Sequence, residues 1–371
     1  MPEAAQGLRT AGRQRCGHFA VDTLIVDRWH SDPPDAGTAV LTAYSRVHTA
    51  PVCGSDNVVE LLTDSSRMDT LVIVGIDRAA RASIGFGAGW DRTPVIVDGL
   101  TTGCIQAGDG PPVVLLHSGE FGASAVLSWE HTIDALAEHH RVVAPDWLGY
   151  GASAKVHDFT RGTAFLVSHM ARVCAALGIA GAPFVANSLG ASLLLADASS
   201  PEPMLPATAI VAICGGGAVL DNEHYAALID YDLTREAMRR ILVALFADSA
   251  WHDDDAYLDR RYELSKEPGA WQCASAARLR PPHELAAPKR AAPAYERIAV
   301  PILLIAGDRD KLKPRGWADE VAARARGAQV RNVDAGHCPQ LELPELVNAA
   351  LIEFLAQAPS LAPSLTDANH N

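Results

Sequence analysis

From about residue 93 the chain alternates short apolar runs with stretches of helical spacing, and that alternation admits few folds. Val113-Val114-Leu115-Leu116, Arg141-Val142-Val143-Ala144-Pro145, Ala207 to Cys214, Pro301 to Ala306 and Gln329 to Val333 read as strands. Strands buried on both faces and separated by helices imply a mostly parallel sheet flanked by helical layers, the α/β class. Pro94 to Val97 and Thr101 to Gln106 read as an opening pair turned at Asp98-Gly99, and Pro183-Phe184-Val185 ends a further strand, which makes eight. Helical spacing covers Trp129 to Glu138, with Trp129, Ile133, Leu136 and Ala137 on one face, and Thr163 to Leu177.

No strand signal occurs between Gly217 and Ala292, while Thr234 to Phe246 and Asp255 to Leu264 are helix-like. A helical insertion after the sixth strand lies over the carboxyl ends of the strands, where open α/β sheets bind ligands. The predicted organisation is therefore a core of residues 93–216 and 293–358, a helical cap at 217–292 and a loose tail at 359–371. Residues 1–92 form an extension or small accessory domain of unassigned role, with strand-like runs at Thr23 to Val26, Ala39 to Thr42 and Leu71 to Val74.

Chemistry enters at Ala186-Asn187-Ser188-Leu189-Gly190, where the strand through Val185 runs into the helix of Gly190 to Ala196. A serine between small residues at such a junction is alone no more than a strand-to-helix turn. It is also the layout of a nucleophile elbow, which holds the serine in a strained turn and requires small neighbours where strand and helix nearly touch. Three further elements sit at strand ends. His117-Ser118-Gly119-Glu120 follows the third strand, so the N–H groups of Gly119 and Leu189 are the candidate oxyanion donors. Gly307-Asp308-Arg309-Asp310 follows the seventh, offering Asp310, with Asp308 as its rival, to orient a histidine. Asp334-Ala335-Gly336-His337 follows the eighth and completes the chain order Ser, Asp, His.

Composition removes competing classes. A net charge of −13 without a basic cluster argues against nucleic acid or anionic lipid as partner. Seven scattered cysteines with no CxxC pair, and no apolar signal segment, point to free thiols in a reducing cytoplasm. The longest apolar run, Ala207 to Leu220, is too short for a bilayer. Glycines 215 to 217 make no phosphate loop and the histidines show no metal-ligand spacing, so no cofactor or metal is implied. The expected partner is a small-molecule substrate, and a homo-oligomer is compatible with the sequence.

Over residues 93–358 the chain resembles the α/β-hydrolase superfamily. Within it the chain is similar to the meta-cleavage-product hydrolases, which split a C–C bond in vinylogous 1,5-diketones. The residues that carry the likeness are Asn187-Ser188-Leu189-Gly190, Pro145-Asp146-Trp147-Leu148-Gly149-Tyr150-Gly151 and Arg260-Arg261-Tyr262-Glu263. The resemblance implies a serine hydrolase with Ser188, His337 and Asp310 as triad, acting on a C–C bond or, as a carboxylesterase or lactonase, on an ester; a non-catalytic binding member of the fold is the remaining alternative. It further implies that Arg261 meets the substrate's carboxylate. Asn187, Trp129 and Cys338 are the other candidate substrate contacts, Cys338 standing where that family carries a tryptophan and the Ser118 to Phe121 loop being altered from its glycine-rich form.

Overall fold

The computed structural model describes residues 60–62, 72–74, 89–278 and 293–357. The strand-like runs at 23–26 and 39–42, the junction at 279–292 and the tail at 359–371 lie outside the described residues.

The central sheet has seven strands: β5 (Cys104–Ala107), β6 (Pro112–Leu116), β7 (Arg141–Pro145), β8 (Ala182–Asn187), β9 (Ala207–Ile213), β10 (Ile302–Gly307) and β11 (Gln329–Val333). Their spatial order is β11-β10-β9-β8-β6-β7-β5, parallel throughout except for β5, which runs antiparallel to β7. The sequence predicts one strand over Thr101 to Gln106, and the structure divides it at Gly103. There the N–H donates to Ser153 Oγ at 3.0 Å and the carbonyl accepts from Asp146 N at 2.8 Å, so the residue serves a loop rather than a ladder. The eighth strand is thereby lost from the main sheet. β3 (Val95–Val97) and β4 (Leu100–Thr102) join β1 (Glu60–Leu62) and β2 (Val72–Val74) in a separate antiparallel sheet, order β1-β2-β3-β4. Asp98 and Gly99, at φ 52° and 74°, make the tight hairpin turn between β3 and β4.

Period-two alternation sends each central strand's side chains into two cores. Val114, Leu116, Phe184, Ala186, Ile210 and Leu304 pack on one face with α3 (Thr163–Ala176) and α4 (Leu189–Ala198). Val113, Leu115, Val185, Val211 and Ile305 pack on the other with α1 (Ala125–Trp129), α2 (Ile133–Ala137) and the late helix Pro344–Gln357. The single helix predicted over Trp129 to Glu138 is two. Ser124 Oγ caps Leu127 N and starts the first turn early, and the chain kinks where Thr132 N returns to the Trp129 carbonyl.

Between β9 and β10 come α5 (Glu223–Ile229), α6 (Arg235–Leu245), α7 (Ser249–Asp253), α8 (Asp255–Lys266) and α9 (Ala270–Ala276). Thr234 and Asp254 side chains cap α6 and α8. After β10 follow α10 (Trp317–Arg324), then β11, then α11 (Pro339–Glu342) and α12, the helix Pro344–Gln357. Among the described residues no helix is long and apolar enough to cross a membrane.

Candidate active site

Ser188 is the single residue between β8 and α4, and it has φ 53° and ψ −111°. Such a conformation is costly for a residue with a Cβ, and it persists because the surroundings hold it. Ser188 N–H donates to Ile213 O at 2.9 Å, and Asn187 Nδ2 donates to the same carbonyl at 3.1 Å. Gly190 follows because a Cβ there would sit 2.7 Å from the carbonyl oxygens of both Leu116 and His117. Ala186, at the other tight position, is fully buried in the core, its one methyl accommodated between strand and helix.

Ser188 Oγ lies 2.8 Å from His337 Nε2, and His337 Nδ1 lies 2.7 Å from Asp310 Oδ2. Three residues from the ends of three strands thus form one hydrogen-bonded chain. The structure separates Asp310 from Asp308: Asp308 is exposed, whereas the Asp310 carboxylate is buried and its Oδ1 accepts the Leu312 N–H at 2.8 Å. Burial alone would raise the Asp310 pKa. The charge and hydrogen bond of His337, the Leu312 N–H and the Cys214 thiol outweigh it and hold the carboxyl below its ordinary value. With Asp310 ionised, His337 donates from Nδ1 and offers Nε2 as acceptor to the serine hydroxyl.

Beside Ser188 stand the two candidate donors. Gly119 packs directly on Leu189, since a Cβ on Gly119 would fall 2.2 Å from Leu189 Cδ2. Among the described residues neither N–H donates to a protein acceptor, and Leu189 opens α4, where the helix dipole adds positive potential. The aim of the Gly119 N–H is fixed from behind. His117 is fully buried, and its Nε2 accepts from Trp147 N at 2.9 Å, which makes Nδ1 the protonated nitrogen. Nδ1 donates to Ser118 O at 2.6 Å, and in a trans peptide this turns the following N–H the opposite way. Burial lowers the His117 pKa and keeps the ring neutral.

The remaining predicted contacts lie elsewhere. Trp129 is fully buried in the core on the opposite face of the sheet. Asn187 is a brace: Nδ2 also donates to His337 O at 3.2 Å, tying elbow to histidine loop. Cys338 is buried with its thiol directed at Asn187 Oδ1, 3.9 Å away, and burial raises its pKa. Arg261 is 1% exposed and its guanidinium is used inside the protein, donating through Nη1 to Glu120 Oε1 at 2.5 Å and through Nη2 to Tyr257 Oη at 3.0 Å. Ser118 Oγ donates to that same Glu120 oxygen at 2.8 Å, so α8 is bonded to the loop of Ser118 to Glu120 through a buried ion pair.

A cavity of about 270 Å³ opens over Ser188 and His337. Tyr225, Leu228 and Ile229 of α5, with Val219, Leu245 and Leu312, give it apolar walls. Trp129, Asn187, Arg261 and Cys338 do not line it; Glu120, Tyr150, Arg278 and Lys313 supply its polar groups. Sequence reasoning missed Arg278 and Lys313, because nothing in a loop sequence marks which cation is turned inward.

The geometry has relatives. A profile of the alpha/beta hydrolase family matches residues 113–350. The 2-hydroxy-6-oxo-6-(2'-aminophenyl)hexa-2,4-dienoic acid hydrolase of Metapseudomonas resinovorans is 29% identical over 265 residues, 70% of this chain and 89% of that protein. Pyrrolizixenacetamide deacetylase of Xenorhabdus hominickii is 26% identical over 276 residues, 70% and 95% of the two chains. Among solved structures, the meta-cleavage product hydrolase CumD of Pseudomonas fluorescens IP01 superposes with a TM-score of 0.62 at 27% identity, covering 70% of this chain and 95% of its own. With strand order, site geometry and sequence in agreement, the chain is an enzyme that belongs to the alpha/beta hydrolase family.

Proposed function

We propose that this protein is a serine hydrolase of small carbonyl compounds, with Ser188 as nucleophile, His337 as general base and acid, and Asp310 as the group that orients it. The observation that carries the reading is the unbroken Ser188–His337–Asp310 chain beneath a cavity, next to two unspent N–H groups. In ester cleavage His337 Nε2 takes the Ser188 proton as Oγ attacks, the N–H groups of Gly119 and Leu189 receive the oxyanion, and the imidazolium returns the proton to the leaving group. Water, deprotonated in turn by His337, releases the acyl group. Helices α5 to α9 act as the cap over this chemistry.

Among substrates, a C–C bond in a meta-cleavage-type diketone is favoured. Kinship with CumD and the aminophenyl-hexadienoic acid hydrolase supports it. There the dienol must first be ketonised, so that the bond broken lies next to a carbonyl sink. The second reading, a carboxylesterase or lactonase using the same residues, draws on the deacetylase relative. A ring-fission diketone assayed beside a short 4-nitrophenyl ester separates the two, and turnover of the ester alone rejects C–C cleavage. Ser188→Ala is expected to lower kcat about 10⁴-fold or more on whichever substrate is turned over. Retention of wild-type turnover would reject the serine mechanism.

A further inference from the structure

Two cations on the cavity wall, Lys313 and Arg278, have no carboxylate paired with them among the described residues. Lys313 is only 5% exposed; its ammonium stands 4.9 Å from the centroid of the Trp317 ring, which attracts the charge but offers no lone pair, and it has one acceptor oxygen among the described residues, the Gly216 carbonyl. An ammonium has three N–H donors, and leaving two of them without acceptors in a buried place is expensive unless a ligand completes the set. Asp310, the carboxylate whose field reaches Lys313, has both oxygens occupied, one by His337 Nδ1 and one by Leu312 N. Glu120, the carboxylate on the cavity wall, is already paired with Arg261. Arg278, the second cation of the wall, donates to the carbonyls of Leu228, Ala274 and Gly119, lies over the Phe121 ring and has no carboxylate partner among the described residues. The balance of the lining is positive, over otherwise apolar walls.

We propose that Lys313 is the specificity-determining anion subsite of this cavity, receiving a carboxylate carried by the substrate, on the wall shared with Ser188 and His337. This rests on the hydrolase reading and places the acid-recognising cation in the loop after β10, while Arg261 of α8 stays locked to Glu120. The ligand class is a small acid with an apolar body. Burial holds the Lys313 amine down to about 8, against the charge of Asp310 in its own loop and Cys214 at the end of β9, which favour the ammonium. The subsite is therefore largely charged at pH 7 and loses its charge as pH rises through the lowered pKa of the amine.

The test compares two esters of similar size, 4-nitrophenyl hemiglutarate and neutral 4-nitrophenyl pentanoate. The wild type is expected to favour the anionic ester about tenfold or more in kcat/KM at pH 7, through KM, as one charge-assisted contact provides. Lys313→Met is expected to bring the ratio near one. Lys313→Arg keeps the preference, and keeps it at pH 9, where the wild type loses it. An unchanged ratio in Lys313→Met, or a wild-type preference that does not move between pH 7 and 9, overturns the proposal. Calorimetric titration with glutarate reads the subsite without catalysis. If neither ester nor a ring-fission diketone is turned over yet glutarate binds the wild type at least tenfold more tightly than Lys313→Met, the subsite stands and the hydrolase reading falls. Equal binding, or none, rejects the subsite.

Discussion

Replacing Arg261 with methionine tests whether this arginine belongs to the substrate or to the fold. The substitution keeps most of the side-chain volume and removes the guanidinium. Glu120, 4% exposed, then loses its charge partner and retains the Ser118 hydroxyl on Oε1 and a backbone N–H, neither of which carries a full charge. Breaking a buried pair by removing one partner costs about 3–5 kcal/mol, because an uncompensated charge is left behind. At about 2–4 °C per kcal/mol in domains of 150–250 residues, the fall in melting temperature is roughly 6–20 °C. Glu120→Gln alone strands the arginine and costs a similar amount. The pair Glu120→Gln with Arg261→Met is expected to recover about half or more of the loss, since an apolar replacement of a buried pair is often nearly neutral. Urea and thermal unfolding at pH 7 of the three variants, with KM for an acid-bearing ester measured alongside, form the assay. The reasoning is refuted if Arg261→Met unfolds within about 1 kcal/mol of wild type while KM for the acid rises tenfold. That result would return Arg261 to the substrate.

Asp310→Asn is expected to lower kcat about 10⁴-fold with the protein still folded, whereas Asp308→Asn stays within about threefold; equal effects would erase the distinction between them. His117→Phe frees Trp147 N and Ser118 O and lets the oxyanion loop turn, so kcat should fall about tenfold or more with KM little changed. Gly190→Val drives side-chain atoms into two backbone carbonyls and is expected to leave little folded protein, read as soluble yield and circular dichroism. Asp310 and Glu120 are held below their ordinary values of 3.8 and 4.5, so the stability they contribute is complete above those values and is lost as pH falls through them. Melting temperature should drop as pH falls below about 4.5, and Glu120→Gln should flatten that drop; an unchanged slope in the variant counts against the buried pair.

How far the sequence alone reaches depends on what each residue's role requires. The parallel sheet was readable because buried strands are continuous apolar runs, and Val113 to Leu116 or Ile302 to Ala306 have no other use. The positions that gather at Ser188 were readable because each follows directly from a strand end, and chain order brings strand ends together. Gly103 was not readable as a break, since the reason lies with Ser153 and Asp146, residues distant in sequence that reach into the ladder. Arg261 and Lys313 show the same limit for charge. A cation in a helix or loop reads identically whether it faces substrate, solvent or a buried glutamate, and the difference lies in Glu120, reached only through the tertiary fold. The split of Trp129 to Glu138 into two helices turned on a capping serine just upstream of the periodic run.

The histidine loop is anchored where a movable roof would need to be free. His337 N donates to Leu245 O at the end of α6, and Glu342 accepts from Ala247 N, Asp248 N and Gly336 N. One carboxylate thus staples the segment after α6 to the loop that carries His337. Lifting that side of the inserted helices would drag the imidazole away from the serine. Among the described residues the α5 side carries no such staple, and there the helix buries none of its residues fully. For protein engineering the same staple sets a rule of transplantation. A foreign roof grafted between β9 and β10 needs to bring a carbonyl for His337 and two N–H groups for Glu342, or it will open the pocket and release His337 in one stroke.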